Sequence, residues 1–276
     1  MGSSIVFLGI IFLLAFTSLA YADYLPARQT QVQSASFQQE PLTHFTLGTG
    51  AVGYYFVIDS KVTSDGSGIG GDEIDFIDDL EMDKKLTTPD FALPYTINNR
   101  NKVRLSYKTG KYKGVKGIDT TFTFKGDTYI PTMSVESKYA FDIVEFTYGY
   151  GIMRKDRFGL DLLVGIGYIN DRLTLDTDNF GQKTSKYESI FPILGLDYTY
   201  YWKPKWDINF LITQGFLGSS TNKLSLCELK GSLIYKMHKN WTISGSYRFS
   251  FFDAKRWGQE KKFYRHGPSV TLNLHF

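Results

Sequence analysis

The chain has 276 residues, of which 16% are aromatic, and a formal net charge of +3. So small a charge on this length gives no footing for nucleic acid, and the single cysteine, Cys227, excludes an intrachain disulfide framework. No cofactor motif is present.

Read in chain order, the first feature is the apolar run 5–16, too short to span a bilayer as a helix. It is followed by Ala20-Tyr21-Ala22, a small-x-small pattern at which signal peptides are cut. Residues 1–22 are therefore expected to be a signal peptide cleaved after Ala22, although Met1-Gly2-Ser3-Ser4 carries no basic residue. Residues 23–43 are expected to be a periplasmic N-terminal segment of the exported chain.

From residue 44 onward the polarity alternates with a period of two, the signature of strands whose successive side chains point to opposite faces. The expected strands are 44–58, 101–112, 118–130, 137–153, 158–175, 189–202, 206–216, 224–237, 241–253 and 264–276. That is about ten, with eight the alternative count if 101–130 pairs differently. Between the first two lies 59–100, read as a long loop with a Gly-rich start and clustered carboxylates, among them Asp72, Asp75, Asp78 and Asp79. Ile74, Ile77 and Leu80 recur every three residues there, which predicts a short amphipathic helix folding back on the rest. The acidic spacing does not match an EF-hand, so those four aspartates are weak metal candidates. In 137–153 the apolar phase changes between Ile143 and Phe146, which predicts a bulge near Val144.

The final strand places Val270, Leu272, Leu274 and Phe276 on one face and Ser269, Thr271, Asn273 and His275 on the other. Together with the leader, this polar-apolar strand ending on Phe276 resembles the closing strand of small bacterial outer-membrane β-barrel proteins. The resemblance implies an all-β, antiparallel transmembrane barrel over 44–276, with short periplasmic turns and longer extracellular loops. It also implies location in the outer membrane of a Gram-negative cell. The implied partners are outer-membrane lipid and lipopolysaccharide, with the barrel-assembly machinery reading Val270, Leu272, Leu274 and Phe276 and periplasmic chaperones acting during biogenesis.

Two patterns agree with that direction. The connections 154–157, 203–205 and 238–240 are short and charged and alternate with longer ones such as 59–100 and 176–186. Tyr148, Tyr150, Tyr198, Tyr200, Trp202, Trp206, Tyr235 and Trp241 lie beside those short connections, as an aromatic girdle at a membrane-water boundary would.

The lumen is expected to hold Arg104, Glu145, Asp161, Asp197, Lys230 and Arg248, with Lys102, Lys108, Asp207 and Arg265 on the same inward phase. Mixed charges in a narrow barrel are expected to pair and fill it. For catalysis, the weak candidates are His266 with Asp253 across the last hairpin, a possible general base. The leading expectation is a non-enzymatic barrel with a structural or surface-recognition role through its outer loops. The alternatives are a narrow passive channel and a lipid A-modifying or omptin-like barrel enzyme.

Overall fold

A computed structural model describes residues 44–63, 72–119, 121–131, 133–219, 222–256 and 259–275, with backbone only over 44–60. The leader 1–22 with Ala20 and Ala22, the segment 23–43, and Phe276 lie outside the described residues.

The strands are β1 (His44–Thr63), β2 (Glu73–Asp75), β3 (Lys85–Thr96), β4 (Asn101–Gly117), β5 (Phe122–Phe124), β6 (Asp127–Tyr129) and β7 (Ser134–Lys155). They continue as β8 (Phe158–Thr177), β9 (Gly181–Lys203), β10 (Trp206–Gly218), β11 (Asn222–His238), β12 (Trp241–Arg256) and β13 (Gln259–His275). Among the described residues, ten of these form a closed antiparallel ring, in the order β1-β3-β4-β7-β8-β9-β10-β11-β12-β13 and back to β1. Closure removes the unpaired edge that an open sheet would present.

The count of ten agrees with the sequence reading, but one member differs. The stretch 118–130 is not a wall strand; it holds the separate hairpin β5–β6. Its turn residues Lys125 (φ 53°) and Gly126 (φ 83°) both have positive φ, the mark of a tight two-residue hairpin that reverses the chain within the expected strand. The missing wall strand is β3, which pairs with β1 and β4 and lies inside 59–100, so that stretch is not all loop. Pro89 and Pro94 interrupt β3, each removing a ladder donor, and this masks it as a strand in the sequence.

The breaks after β7, β9 and β11 fall at one end, as expected, and the short turn 97–100, which the sequence reading placed inside the long loop 59–100, joins them there. The start of β1 and the end of β13 lie at this same end, called here the near end. At the far end lie the described segment 72–84, which contains β2, and the hairpin β5–β6. The expected loop 176–186 shrinks to 178–180, because β8 and β9 run on to Thr177 and from Gly181.

The wall inverts its polarity part-way along its length. On β8 the outward side chains Leu162, Val164, Ile166 and Tyr168 are apolar and exposed, and beyond them come Asn170, Arg172, Thr174 and Asp176. The inward series runs the other way, from Gly159, Asp161, Gly165 and Gly167 to buried Ile169, Leu173 and Leu175, with Leu163 in the near half and Asp171 in the far half as exceptions. On β9 the same exchange occurs between outward Ile190 and Glu188. The near half thus has an apolar outside and a polar inside, and the far half has the reverse.

This inversion accounts for β7 and corrects the expected bulge at Val144. Val135 to Gly151 keep a single phase, with Tyr139, Phe141, Ile143, Glu145 and Thr147 all inward and buried. Phe146, Tyr148 and Tyr150 are outward and exposed because they belong to the near half, while Tyr139 and Phe141 belong to the far-half core. The register shift on this strand falls instead at Gly151/Met153.

Candidate functional site

The interior carries most of the unusual chemistry. In the near half, Lys102 lies 2.5 Å from Asp161 and 2.6 Å from Asp197, and Arg154 also pairs with Asp161. Asn209 donates to Asp197 at 2.5 Å, and Lys236 lies 2.8 Å from Asp207. One level further in, Lys108 bridges Glu145 (2.9 Å) and Glu228 (2.7 Å), and Ser106 donates to Glu145 at 3.0 Å. Arg248 pairs with Asp90 and lies 3.5 Å from Glu228. Lys108 and Arg248 are buried, so each charge depends on its partners.

Every expected lumen residue, Arg104, Glu145, Asp161, Asp197, Lys230 and Arg248, is inward. Four charged members of the network escaped the sequence reading: Asp90, Arg154, Glu228 and Lys236. Asp90 sits on β3, hidden within the assigned loop, and Glu228 shares the inward phase of Leu224, Leu226 and Lys230. That phase was the available signal for Glu228.

The far half is filled by side chains. Tyr112, Tyr139, Phe141 and Phe263 pack with ring centroids 5.2–6.3 Å apart, and Phe76 of the far-end connection adds a contact of 5.1 Å to Tyr139. Such pairs contribute about 0.5–1.5 kcal/mol each beyond their area. Within this apolar zone Lys261 pairs with Asp171, and Arg265 lies over the Phe141 ring at 4.6 Å. Between the halves is a cavity of about 20 Å³, touched by Lys108 and Glu228 on one side and by Phe141 and Phe263 on the other. It has room for about one water.

The far end is capped by the connection around β2. Ile74, Phe76, Leu80 and Met82 are buried in the core. The expected fold-back therefore occurs, but as a tight turn over Phe76–Leu80 instead of a helix. Asp75 fixes that turn by accepting from the N–H of Ile77 (2.7 Å) and of Asp78 (2.9 Å), while Asp79 accepts from the N–H of Asp75 (2.7 Å). Asp72 accepts from the N–H of Thr123 at 2.8 Å and ties the cap to the β5–β6 hairpin. Asp75 and Asp79 are thus engaged in the turn and Asp72 in the tie to the hairpin, Asp78 is exposed, and no cluster fit for a metal ion occurs among the described residues.

The cap is anchored to the wall by backbone contacts. The N–H of Asp83 donates to the Lys113 carbonyl at 3.1 Å, and Ser137 donates to the Leu80 carbonyl at 3.2 Å. Gly114 lies so close to Leu80 that a Cβ there would collide with its carbonyl oxygen. Tyr129 of the hairpin stacks on Phe122 (5.0 Å) and meets Phe180 edge-on (5.6 Å). Its burial, then Asp127 and Asp176, push the Tyr129 phenol up to about 12.

The catalytic candidates are not brought together. In the β12–β13 ladder Asp253 stands opposite Lys262, and His266 stands opposite Phe249. His266 faces outward, stacked on Phe249 with centroids 5.7 Å apart and bonded to the Tyr247 hydroxyl. A four-residue offset along a strand is about 13 Å, too far for hydrogen bonding between them.

The aromatic candidates do converge. Tyr148, Tyr150, Tyr198, Tyr200, Trp202, Trp206, Tyr235 and Trp241 all sit at the near end of their strands on the outward phase. Trp206 and Tyr235 pack with centroids 4.6 Å apart, and Lys203 lies over the Trp202 ring at 4.8 Å. Val270, Leu272 and Leu274 share the outward face of β13, opposite Gly245, Ile243 and Trp241 on β12.

No family model and no curated protein matches the chain. Among solved structures it is similar to the outer-membrane protease OmpT of Escherichia coli (TM-score 0.54, 10% identity, covering 86% of this chain and 97% of that one). It is also similar to Ail, the attachment invasion locus protein of Yersinia pestis (TM-score 0.39, 13% identity, 85% and 100%). A third is the translocator domain of the autotransporter NalP of Neisseria meningitidis (TM-score 0.40, 9% identity, 87% and 90%). These neighbours are Gram-negative outer-membrane proteins, and the chain has the fold of an outer-membrane β-barrel.

Proposed function

We propose that this protein is a non-enzymatic barrel of the Gram-negative outer membrane, closed to solutes, whose far end acts as a surface for recognition outside the cell. The observation that carries this reading is the polarity inversion of the wall. On β8 and β9 the outward apolar side chains are confined to the near half, while in the far half apolar side chains fill the interior and the outer surface is mainly polar, with Val115 on β4 an exception. A wall built this way suits lipid below and water above, with the far half serving as a packed pedestal for 72–84 and the β5–β6 hairpin.

The passive-channel alternative is disfavoured by the cap and by the ion pairs that occupy the near half. The enzyme alternative loses its base, since His266 faces outward and Asp253 is paired elsewhere along the ladder. The first test is conductance of the refolded protein in a planar bilayer. Silence is expected from the intact chain, with its folded state verified by the heat-dependent gel shift of a closed barrel. Discrete steps from the intact chain would overturn the closed-lumen reading.

A further inference from the structure

Two inward cations of the near half have no carboxylate. Asp161 and Asp197 are matched to Lys102 and Arg154, and Asp207 to Lys236. Asp90, Glu145 and Glu228 are matched to Lys108 and Arg248. The side chains of Arg104 on β4 and Lys230 on β11 make no hydrogen bond or ion pair among the described residues. The near part of β1 cannot supply the missing charge, because 44–58 contains no Asp or Glu, and neither does 261–276. Arg104 also acts on Asp197, but that carboxylate is already bonded by Lys102 (2.6 Å) and Asn209 (2.5 Å).

The topology brings these two cations to one region of the lumen. Lys108 and Glu228, 2.7 Å apart, fix how β4 faces β11 across the interior. From that contact toward the near end, the next inward positions are Ser106 and Arg104 on β4, and Lys230 and Ser232 on β11. Arg104 is accordingly among the charges that act on Lys230. In the ladder Lys230 stands between Leu211 and Arg248, and a like charge directly opposite is destabilising unless an anion intervenes.

Hydroxyl groups line the same region. One inward step from Lys230 and Arg248, the register sets Ser232, Ser246 and Ser269 in a row, all buried. Ser246 donates to Ser232 at 3.0 Å, which leaves the Ser232 hydrogen without an acceptor among the described residues. The Ser269 hydroxyl, 3% exposed, has no hydrogen-bond partner among them either. Approach is from the near end: Lys108 and Arg248 are buried, Arg104 and Lys230 are partly exposed, and Lys102 and Lys236 at the mouth are 28% and 41% exposed.

We infer that Arg104, Lys230 and the Ser232–Ser246–Ser269 row form a site inside the lumen for a small oxyanion of the phosphate or sulfate class. Such an anion accepts from every group present: the planar guanidinium fork, the ammonium and the hydroxyls. A ten-stranded lumen partly filled by its own side chains restricts the ligand to a small one. The site goes beyond the recognition role proposed for the far end and stands without it, since it needs only the closed ring.

The test is calorimetric titration of the refolded full chain with inorganic phosphate, in neutral detergent at constant ionic strength set with sodium chloride. The proteins compared are the unaltered chain, Arg104→Gln, Lys230→Gln and the control Lys203→Gln/Lys205→Gln, each shown to be closed by its heat-dependent gel shift. The control removes two exposed cations at the near-end rim. Saturable binding is expected for the unaltered chain and the control. Each single variant is expected to bind at least about ten-fold more weakly, as for the loss of one hydrogen bond to a charged group. Absence of saturable binding to the folded unaltered chain, equal affinity in the variants, or an equal loss in the control would overturn the site. Urea unfolding gives a second readout, because a ligand that binds only the folded state raises its stability. Phosphate is expected to raise the urea midpoint of the unaltered chain and not that of Lys230→Met, which needs no counter-ion; an equal rise in both would also overturn it.

Discussion

Lys261 on β13 reaches across the barrel interior to pair with Asp171 on β8, with side-chain exposures of only 4% and 0%. The pair lies among Leu173, Tyr139, Phe263 and Tyr187 instead of in the charged near half. Removing one partner strands the other in an apolar setting, whereas removing both leaves only a packing change. Lys261→Met is therefore expected to destabilise the refolded barrel by about 3–5 kcal/mol, and Lys261→Met/Asp171→Leu by clearly less. Urea unfolding of the proteins in one lipid or detergent would check this. A double variant as unstable as the single one would refute the uncompensated-charge account.

The Lys108–Glu228–Arg248 network should behave as one unit. Glu228 serves both cations, so its loss frees two charges at once. The effects of Lys108→Met and Glu228→Gln are expected to be non-additive, with a coupling of about 0.5–3 kcal/mol in a double-mutant cycle. Additive effects would mean that the cations are held independently.

Gly114 offers a way to loosen the cap without touching the wall ladder. Any larger residue would push against the Leu80 carbonyl, and Gly114 is already opposite Ser137 in the β4–β7 pairing. Gly114→Val should leave the heat-dependent gel shift of a closed barrel intact while making 72–84 more susceptible to added protease. An unchanged cleavage pattern would show that the wall yields in place of the cap.

The polarity inversion predicts a depth profile for arginine on the outer face. Val164→Arg, in the middle of the apolar band, is expected to cost about 2–4 kcal/mol in a bilayer. Thr184→Arg, on the polar far half of β9, is expected to cost about 0–1 kcal/mol. Refolding titrations into the same vesicles compare them, and equal costs would contradict a band confined to the near half.

Several of these elements were legible in the sequence because a strand exposes its two faces locally. Leu160, Leu162, Val164 and Ile166 alternate with Gly159, Asp161 and Gly165, and no distant information is needed to see a two-faced strand. The outward girdle from Tyr148 to Trp241 and the inward charges from Arg104 to Arg248 follow from the same period. β3 was obscured because Pro89 and Pro94 weaken the local strand signal, and its ladder is completed by β1 and β4 on either side.

The sequence by itself determined the period and which residues share a face, whereas the count of ten held only because the missed β3 offset the mistaken 118–130. Period and face depend on backbone geometry that each strand carries alone. Only the tertiary structure decided what each face meets. Tyr139 and Tyr148 stand nine residues apart on β7, one buried in a core and the other exposed on the outer wall. Whether an inward position is polar depends on its height relative to the apolar band and on what the cap brings in from 72–84. It is the closure of the ring that assembles Lys261 with Asp171 and Arg248 with Asp90, 90 and 158 residues apart in the chain.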